Sequence, residues 1–185
     1  MSNSDSTRVV TGPRTRLNYV TLVEPAGYYG STPKYSLCLL IPKDDTETID
    51  KISTAMRAAY ELGQGKLKNP DGSIPPYESI RSPLRDGDEE RPNSAAFRNC
   101  YFLNAKSKYK PKVFNARNEE IFDPSFIKSG DYGRVSLNFF VYAAPGNKGL
   151  SAGLNNVKFI REGEPIGRRY DPAEEFGEEF EEYFY

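Results

Sequence analysis

Four lysines alternate with other residues in the middle of the chain. They are Lys106, Lys108, Lys110 and Lys112, and they surround Tyr109. In an extended chain alternate side chains share one face, so these ammonium groups would be spaced by roughly 6 to 7 Å. That spacing resembles the step between phosphates along a DNA strand, and Pro111 favours an edge strand or loop. The alternative is a solvated basic loop or a charged edge strand that prevents aggregation.

The segment Tyr132 to Ala143 has the strongest strand pattern in the sequence, and its two faces differ. The odd face is apolar: Val135, Leu137, Phe139 and Val141. The even face carries Tyr132, Arg134, Ser136, Asn138, Phe140 and Tyr142. Rings stack on base faces and cations bind phosphates, so this face predicts a platform for unpaired bases with little sequence preference. The alternative is that Phe140 and Tyr142 pack beneath a loop or a partner protein.

Other basic and aromatic residues are weaker candidates. Arg98, Phe102, Asn104 and Lys106 share a face of their predicted strand, and Arg14 and Arg16 share a face of theirs. Tyr28, Tyr29, Arg81 and Arg85 lie on predicted loops near these strands. The residues predicted to bind single-stranded DNA are Arg98, Phe102, Lys106, Lys108, Tyr109, Lys110, Lys112, Arg134, Phe140 and Tyr142.

The C-terminal residues 171–185 contain seven acids and no Lys or Arg. Removing those seven from totals of 25 basic and 26 acidic residues leaves 25 against 19, so the rest carries about +6 although the whole chain carries −1. Carboxylate repulsion predicts a disordered tail, but a solubilising role does not explain its five aromatic residues. We expect the tail to compete with DNA and to bind a partner protein through Phe180, Glu181, Glu182, Tyr183, Phe184 and Tyr185.

Enzymatic chemistry has little support. The chain has no histidine, which excludes Ser-His-Asp catalysis and zinc sites that use imidazole. Asp86, Asp88, Glu89 and Glu90 suggest a metal-dependent nuclease, but consecutive acids in a stretch rich in Gly, Arg and Pro favour a solvated loop. We therefore predict a protein that is not an enzyme and uses no cofactor or metal.

The elements that position these residues are mainly strands. We predict strands at 14–23, 34–41, 97–106, 132–143 and 155–161, loops at 25–33 and 66–94, and a Gly-rich link at 145–153. The 34–41 strand turns Tyr35, Leu37, Leu39 and Ile41 to one face. One helix begins with Asp44 and Glu47 as its cap, buries Ile49, Ile52, Met56, Ala59 and Tyr60, and stops at Gly63. This order predicts a mainly β protein with one helix: an OB-fold, a five-stranded Greek-key barrel with long loops.

Three regions follow from this pattern: a flexible N-terminal arm at 1–13, an OB-fold DNA-binding domain at 14–167, and the acidic aromatic tail at 168–185. No apolar run approaches the roughly 18 to 20 residues that span a bilayer, and the N-terminus is polar, which predicts a cytoplasmic protein without membrane contact. Cys38 and Cys100 lie in apolar strand patterns and are expected to be buried thiols.

Four motifs resemble a known family. Asn104 to Lys112, Ser129 to Asn138, Gly146 to Asn156 and Arg161 to Pro165 resemble the phage single-stranded DNA-binding protein family, formerly a domain of unknown function, over about Arg14 to Gly167. The resemblance implies an OB-fold and sequence-independent binding of single strands in phage replication and recombination. The chain is also similar in plan to podovirus replication proteins, whose acidic, aromatic-ended tails contact the replication machinery. Phage or host replication and recombination proteins are therefore the expected partners of the tail.

A second class of function stays open beside this one. The alternative is a non-catalytic structural or interaction module, such as a virion component or a recombination mediator, in which the aromatic face contacts protein. Backbone cations and stacking rings accept RNA as well as DNA. The pattern also leaves open whether the protein is a monomer or a dimer.

Overall fold

The computed structural model describes residues 5–167. Its strands are β1 Arg8–Val10, β2 Arg16–Ala26, β3 Lys34–Pro42, β4 Arg85–Asp86, β5 Cys100–Ser107, β6 Lys112–Phe114, β7 Glu120–Ile121, β8 Tyr132–Ala144 and β9 Asn147–Arg161. Its helices are α1 Thr46–Leu67 and α2 Gly87–Glu90, with short 3₁₀ turns at Tyr77–Ser79, Ala95–Phe97 and Pro124–Phe126. The predicted tail, including Phe180 to Tyr185, lies outside the described residues.

Five strands pair in a closed circuit. β2 pairs with β3 and β3 with β5, both antiparallel, and β5 pairs with β9 in parallel. β9 pairs antiparallel with β8, and β8 returns to β2 where Tyr132 lies opposite Arg16. The order β2-β3-β5-β9-β8 is that of a small OB-type barrel, which confirms the predicted fold class.

Alternate side chains along the strands point inward and fill the interior of this barrel. Val135, Leu137, Phe139 and Val141 of β8 are buried, as their odd positions predict. Leu37, Leu39 and Ile41 of β3 join the same core. Burying each such side chain contributes about 1.5 to 3 kcal/mol, so this pattern fixes which face of every strand points outward.

Helix α1 covers part of the barrel and is longer than predicted. Asp45, rather than Asp44, is its N-cap and accepts from the Thr48 backbone N–H. Gly63 does not end the helix, so the predicted stop is wrong. A Cβ at Gly63 would overlap Val141 Cγ2, so glycine is present because α1 approaches β8 closely. At the C-terminal end of α1, Lys148 Nζ donates to the carbonyl of Leu67 at 2.9 Å.

The predicted Gly-rich link at 145–153 is mostly strand. β9 begins at Asn147, which leaves a two-residue turn after β8. Gly149 and Gly153 lie inside β9 because side chains from other segments occupy the space where their Cβ atoms would be. A Cβ at Gly149 would lie 2.9 Å from Arg81 Cβ, and one at Gly153 would overlap Asn138 Oδ1. Close contact, rather than turn geometry, therefore explains these two glycines.

The predicted N-terminal arm also contains a strand. β1 pairs with β8, with Val9 opposite Leu137, and Val9 is buried. The ordered body therefore begins before Arg14. β1 was missed because three residues are too few for an alternating pattern to be recognised.

A second, smaller core lies on the outer face of β3 and β5. It consists of Cys38, Leu40, Phe97 and Phe102, with Ile166 packed against it. Burial raises the pKa of the Cys38 thiol to about 12, and Cys38 and Cys100 are both unpaired, although Cys100 is only half-buried. Phe97 comes from the excursion between α1 and β5, which covers only part of this face. No helix within residues 5–167 is long and apolar enough to cross a membrane.

Candidate nucleic-acid interface

The uncovered part of the outer face lies where β3 begins and β5 ends. Leu103 and Ala105 of β5 point into the core, so Asn104 and Lys106 point outward and are exposed. Ser36 of β3 lies directly opposite Lys106. The alternation that fills the barrel thus places polar and basic groups on its outside.

A first depression lies between this face and the loop that joins β2 to β3. Its lining residues are Ala26, Gly27, Tyr28, Ser31, Thr32, Lys34, Ser36, Lys106 and Lys108. Ser31 holds the loop in a turn, because its Oγ accepts from the Tyr28 N–H at 3.0 Å and donates to the Tyr28 carbonyl at 2.7 Å. The Tyr28 ring is 82% exposed, which leaves it free to stack on a ligand.

A second depression continues from the first across β5 to the β8–β9 hairpin. Its lining residues are Lys34, Arg81, Ser82, Pro83, Arg85, Asn104, Lys106, Phe140, Tyr142, Leu150 and Ser151. Lys34 and Lys106 line both depressions, so together the two form one continuous surface, here called the cleft. OB-fold proteins bind oligonucleotides on the second and third strands of the barrel and on the loops at their ends. In this barrel those strands are β3 and β5.

The cleft is strongly basic. Among residues 5–167, its lining includes Lys34, Arg81, Arg85, Lys106 and Lys108 and contains no Asp or Glu. Within residues 5–167 only one of these five cations, Arg85, forms an ion pair with a carboxylate, that of Glu90. The other four charges are available to an anionic ligand, and clustering them in a concave surface strengthens the attraction.

Arg81 is held beside the cleft through its backbone. Its carbonyl accepts from the Leu150 N–H at 2.9 Å, and its N–H donates to the Lys148 carbonyl at 3.3 Å. This approach needs the missing side chain of Gly149, since a Cβ there would lie 3.0 Å from the Arg81 carbonyl oxygen. These backbone contacts hold Arg81 where it lines the cleft.

Arg85 lines the cleft and packs on an aromatic ring. Its guanidinium carbon lies 5.1 Å from the centre of the Phe102 ring, and Arg91 covers the same ring at 5.6 Å. Phe102 is only 2% exposed, so its ring is not accessible to a base in this structure. The ring belongs to the small outer core and supports Arg85.

Two predicted aromatic residues do lie in the cleft. Phe140 is 45% exposed and sits opposite Ser151 of β9. Tyr142, two residues further along the same face, donates its hydroxyl hydrogen to Asn147 Oδ1 at 3.3 Å. The structure thus brings these rings together with Lys106 and Lys108 from the predicted set.

The lysine run does not form one extended face. β5 ends at Ser107, a turn follows in which the Tyr109 N–H donates to Ser107 Oγ at 3.0 Å, and β6 begins at Lys112. The four lysines therefore do not align on one face, and Pro111 lies between β5 and β6, as its preference for an edge strand or loop predicts. Tyr109 and Lys110 are exposed in the turn, outside the cleft lining.

Two predicted arginines also lie outside the cleft. Arg134 points outward near the other end of β8, where its Nε donates to the Thr11 carbonyl at 2.9 Å. Arg98 precedes β5, and Asn99 between them has a positive φ of 55°, which breaks the strand alternation. Arg98 therefore does not share the face of Asn104 and Lys106.

Lys34, Ser36 and Ser151 line the cleft but were absent from the predicted set. The apolar pattern of the 34–41 strand lies at its odd positions, whereas its first two even positions are Lys34 and Ser36. Their polarity, directly after a loop with two tyrosines, was the available signal. Ser151 is absent from the predicted set because its segment, 145–153, was predicted to be a link rather than a strand.

Two of the acids that suggest metal binding are neutralised by a lysine. Lys43 Nζ lies 2.8 Å from both the Asp86 and Asp88 carboxylates. Its hydrogen bonds hold the pKa of each carboxyl below the ordinary range, and they raise the pKa of Lys43. Asp86 also caps α2 by accepting from the Asp88 N–H. Among the described residues no group of three or more acids and cysteines could hold a metal ion.

A closed five-stranded barrel with a basic, aromatic cleft on its outer face defines the class of OB-fold proteins that bind single-stranded nucleic acid. The chain belongs to the family described as the single-stranded DNA-binding protein of Enterobacter phage Enc34, whose sequence model matches residues 7–184. This confirms the resemblance found in the motifs. It also places the chain among binding proteins rather than enzymes.

Individual relatives agree with this assignment. The chain is 32% identical over 169 residues to a putative protein p50 of Acyrthosiphon pisum secondary endosymbiont phage 1, covering 87% of this chain and 88% of that protein. It superposes on the Enc34 protein solved in complex with ssDNA with a TM-score of 0.72 and 24% identity, covering 88% of this chain and 90% of that chain. It superposes on gp2.5, the single-stranded DNA-binding protein of bacteriophage T7, with a TM-score of 0.62 and 16% identity, covering 95% and 98%. These two structural likenesses establish the shared fold.

Proposed function

We propose that this protein binds single-stranded DNA in its cleft without sequence preference, during the replication or recombination of a phage genome in the host cytoplasm. The observation that carries the proposal is the combination of exposed rings with four cations that have no carboxylate partner within residues 5–167. Rings and cations together are the requirements for binding unpaired strands. Membership of the Enc34 family supports the same conclusion.

The rings contribute affinity that does not depend on base identity. Phe140 and Tyr28 expose 45% and 82% of their surfaces, and Tyr142 lies beside Phe140 on the same strand face. Each stacked base contributes about 1 to 3 kcal/mol because every base has a flat π face. Asn104, Ser36 and Ser151 supply polar contacts between the rings and the cations.

The cations bind the phosphate backbone. Lys34 and Lys106 lie where the two depressions join, so they contact the strand in its middle. Lys108 and Arg81 lie toward its two ends. Each phosphate neutralised releases a counterion, and affinity for single strands therefore falls with salt with a slope of about −0.7 per contact.

The acidic tail is proposed to compete with DNA for this cleft. The chain leaves the described body at Ile166, which packs on the small core with Cys38 and Phe102, and its N–H donates to the Ser129 carbonyl at 3.1 Å. Cys38 lies directly opposite Asn104 of the cleft. The 18 residues after 167 span at most about 60 Å, enough to reach the cations. A carboxylate-rich tail complements the basic cleft as a phosphate backbone does.

The same tail is proposed to recruit replication or recombination proteins when DNA displaces it. Its aromatic residues, Phe176, Phe180, Tyr183, Phe184 and Tyr185, give a partner apolar groups to bury among the acids. A partner with an apolar pocket and a basic rim fits this chemistry. DNA binding and partner binding would then be coupled through one segment.

The test is fluorescence anisotropy of labelled oligo-dT at several salt concentrations, with a duplex of equal length as competitor. The full chain is compared with a truncation that ends at Tyr170. We expect single strands to bind in preference to duplex, affinity to fall with salt, and truncation to tighten binding. Absence of binding to single strands by both the full chain and the truncation at low salt would contradict the proposal and favour a protein-binding role for the cleft. Equal affinity of the full chain and the truncation would contradict only the competition by the tail.

A further inference from the structure

The β8–β9 hairpin contains no acidic residue. Residues 132–161 include Arg134, Lys148, Lys158 and Arg161 but no Asp or Glu, although the whole chain has 26 acids. This hairpin supplies Phe140, Tyr142 and Ser151 to the cleft, yet it extends well beyond it. Its remaining outer surface is therefore basic and unassigned.

The outer face of β8 is unbroken along this hairpin. Both register shifts in the pairing are extra residues on β9, so alternate β8 residues from Tyr132 to Tyr142 all point outward. Their burial alternates accordingly with the buried odd positions. The ten steps from Tyr132 to Tyr142 cover roughly 33 Å, which is longer than the cleft portion at Phe140 and Tyr142.

The middle of this face is flat and polar. Asn138 lies across Gly153, where a Cβ would overlap Asn138 Oδ1, so no side chain rises from Gly153. Gly153 pairs with Asn138 on one side and with Lys106 of the cleft on the other. The surface from Lys106 over Gly153 to Asn138 therefore carries no side chain at its middle position.

A second group of cations lies at the far end. Arg134 is directly opposite Lys158, and Tyr132 is opposite Arg161, whose guanidinium carbon lies 3.9 Å from the ring centre. Lys112 of β6 pairs with Asn156 and is exposed. Within residues 5–167 none of these four cations forms an ion pair with a carboxylate. The far end repeats the combination of a ring and unpaired cations found in the cleft.

We propose that this surface, here called the hairpin track, is a second subsite that binds the phosphates of the same DNA strand after it leaves the cleft. The hairpin track consists of Lys112, Tyr132, Arg134, Ser136, Asn138, Gly153, Asn156, Lys158 and Arg161. The inference rests on the proposed function of the cleft. It makes the bound length of DNA longer than the cleft alone accommodates.

The test compares a short and a long oligo-dT, of about 5 and about 16 nucleotides, which bracket the site sizes known for OB folds. The variant Lys158→Gln/Arg161→Gln removes two track cations, of which Arg161 lies over the Tyr132 ring and donates to the Glu162 carbonyl. We expect its affinity for the long oligonucleotide to fall on the order of tenfold, with a salt slope about 1.4 smaller, and its affinity for the short one to stay unchanged.

Matched controls separate this effect from changes in net charge or folding. Lys51→Gln/Lys66→Gln removes two exposed charges from α1 and should leave both affinities unchanged. Asn156→Asp adds one carboxylate to the track with no change in shape and should weaken only the long oligonucleotide, while Gln64→Glu on α1 should not. Thermal unfolding of each variant confirms that it folds.

The outcomes distinguish the two proposals. If the wild-type protein binds neither oligonucleotide, the proposed function of the cleft fails. If the wild type binds both and the track variants lose neither, or lose both equally, the cleft stands and the hairpin track is overturned. A loss confined to duplex DNA of the same length would also overturn it, because the cations would then serve a different ligand.

Discussion

Single side chains determine where the outer face of the barrel is open. Phe102 and Lys106 both point outward from β5, yet Phe102 is covered by Arg85 and Arg91 whereas Lys106 is exposed. One end of the strand thus becomes part of a small core and the other becomes a binding surface. Rings and cations separated by only a few residues therefore have different roles.

Replacing Phe140 should weaken DNA binding directly. Phe140→Ala removes an exposed ring from the cleft, and losing one stacked base costs about 1 to 3 kcal/mol, or roughly 5- to 150-fold in affinity for oligo-dT. Phe122→Ala is the matched control, because that ring is 82% exposed but lies outside the cleft lining. Anisotropy titration checks both variants, and equal effects would contradict the placement of the base-stacking site.

The ion pairs of Lys43 should make stability depend on acid pH. Hydrogen bonds from Lys43 lower the pKa of Asp86 and Asp88 in the folded state, so their stabilisation is present above the unfolded pKa of about 4 and is lost as pH falls through the lower folded values. Lys43→Gln should be less stable than wild type at neutral pH, and the difference should shrink below about pH 4. Denaturant unfolding across this range measures it. A difference that does not change with pH would contradict the assignment.

Residue roles were predictable where they depend on local alternation. The exposed faces of Phe140 and Tyr142 follow from the two-residue period of β8, and they were predicted correctly as outward positions. Phe102 shares such a face but is buried, because its cover comes from Arg85, Arg91 and Phe97, which pack on it through tertiary contacts. Alternation shows which way a side chain points but not what another segment places above it.

At the scale of elements, close contacts set the limits of helix and strand. α1 continues through Gly63 and Gly65, two residues that would ordinarily weaken a helix. Gly63 is required by the approach of α1 to Val141, whereas a Cβ at Gly65 would meet no atom of residues 5–167 within 4 Å. Gly63 is therefore explained by packing, whereas at Gly65 only helix propensity is affected by a substitution.

The two glycines should respond in opposite directions to the same substitution. Gly63→Ala places a methyl group against the stiff Val141 side chain and should destabilise the protein by about 1 to 3 kcal/mol. Gly65→Ala has open space and should stabilise it by about 0.5 to 1 kcal/mol through better helix propensity. Chemical denaturation of both variants measures the two changes. Stabilisation by both substitutions would show that α1 does not approach β8 as described.

Elements with a long periodic pattern were predicted correctly. Elements that depend on contacts with distant segments were not. β3, β8 and α1 were predicted from periodicity, and each exists with shifted ends. The glycines in the first half of β9 are typical of turns, and they predict a link at 145–153 where the structure has strand. These glycines are strand positions that are closely approached by Arg81 and Asn138, which lie in other parts of the chain.

At the scale of the whole molecule, barrel closure creates the cleft and the hairpin track together. The parallel pairing of β5 with β9 brings Lys106 beside Gly153, which joins the β3–β5 face to the β8–β9 face. These segments lie about fifty residues apart in sequence, so their adjacency could not be predicted from local pattern. The division into a basic body and an acidic tail, by contrast, was visible in the sequence alone.

The most direct measurement of the central claim is the salt dependence of oligo-dT binding by a cleft variant. Lys34→Gln/Lys106→Gln removes the two cations shared by both depressions, with Lys51→Gln/Lys66→Gln as the control for net charge. We predict that the slope of log affinity against log salt falls by about 1.4 for the cleft variant and stays at the wild-type value for the control. An unchanged slope and affinity in the cleft variant would show that single-stranded DNA binds elsewhere on the protein.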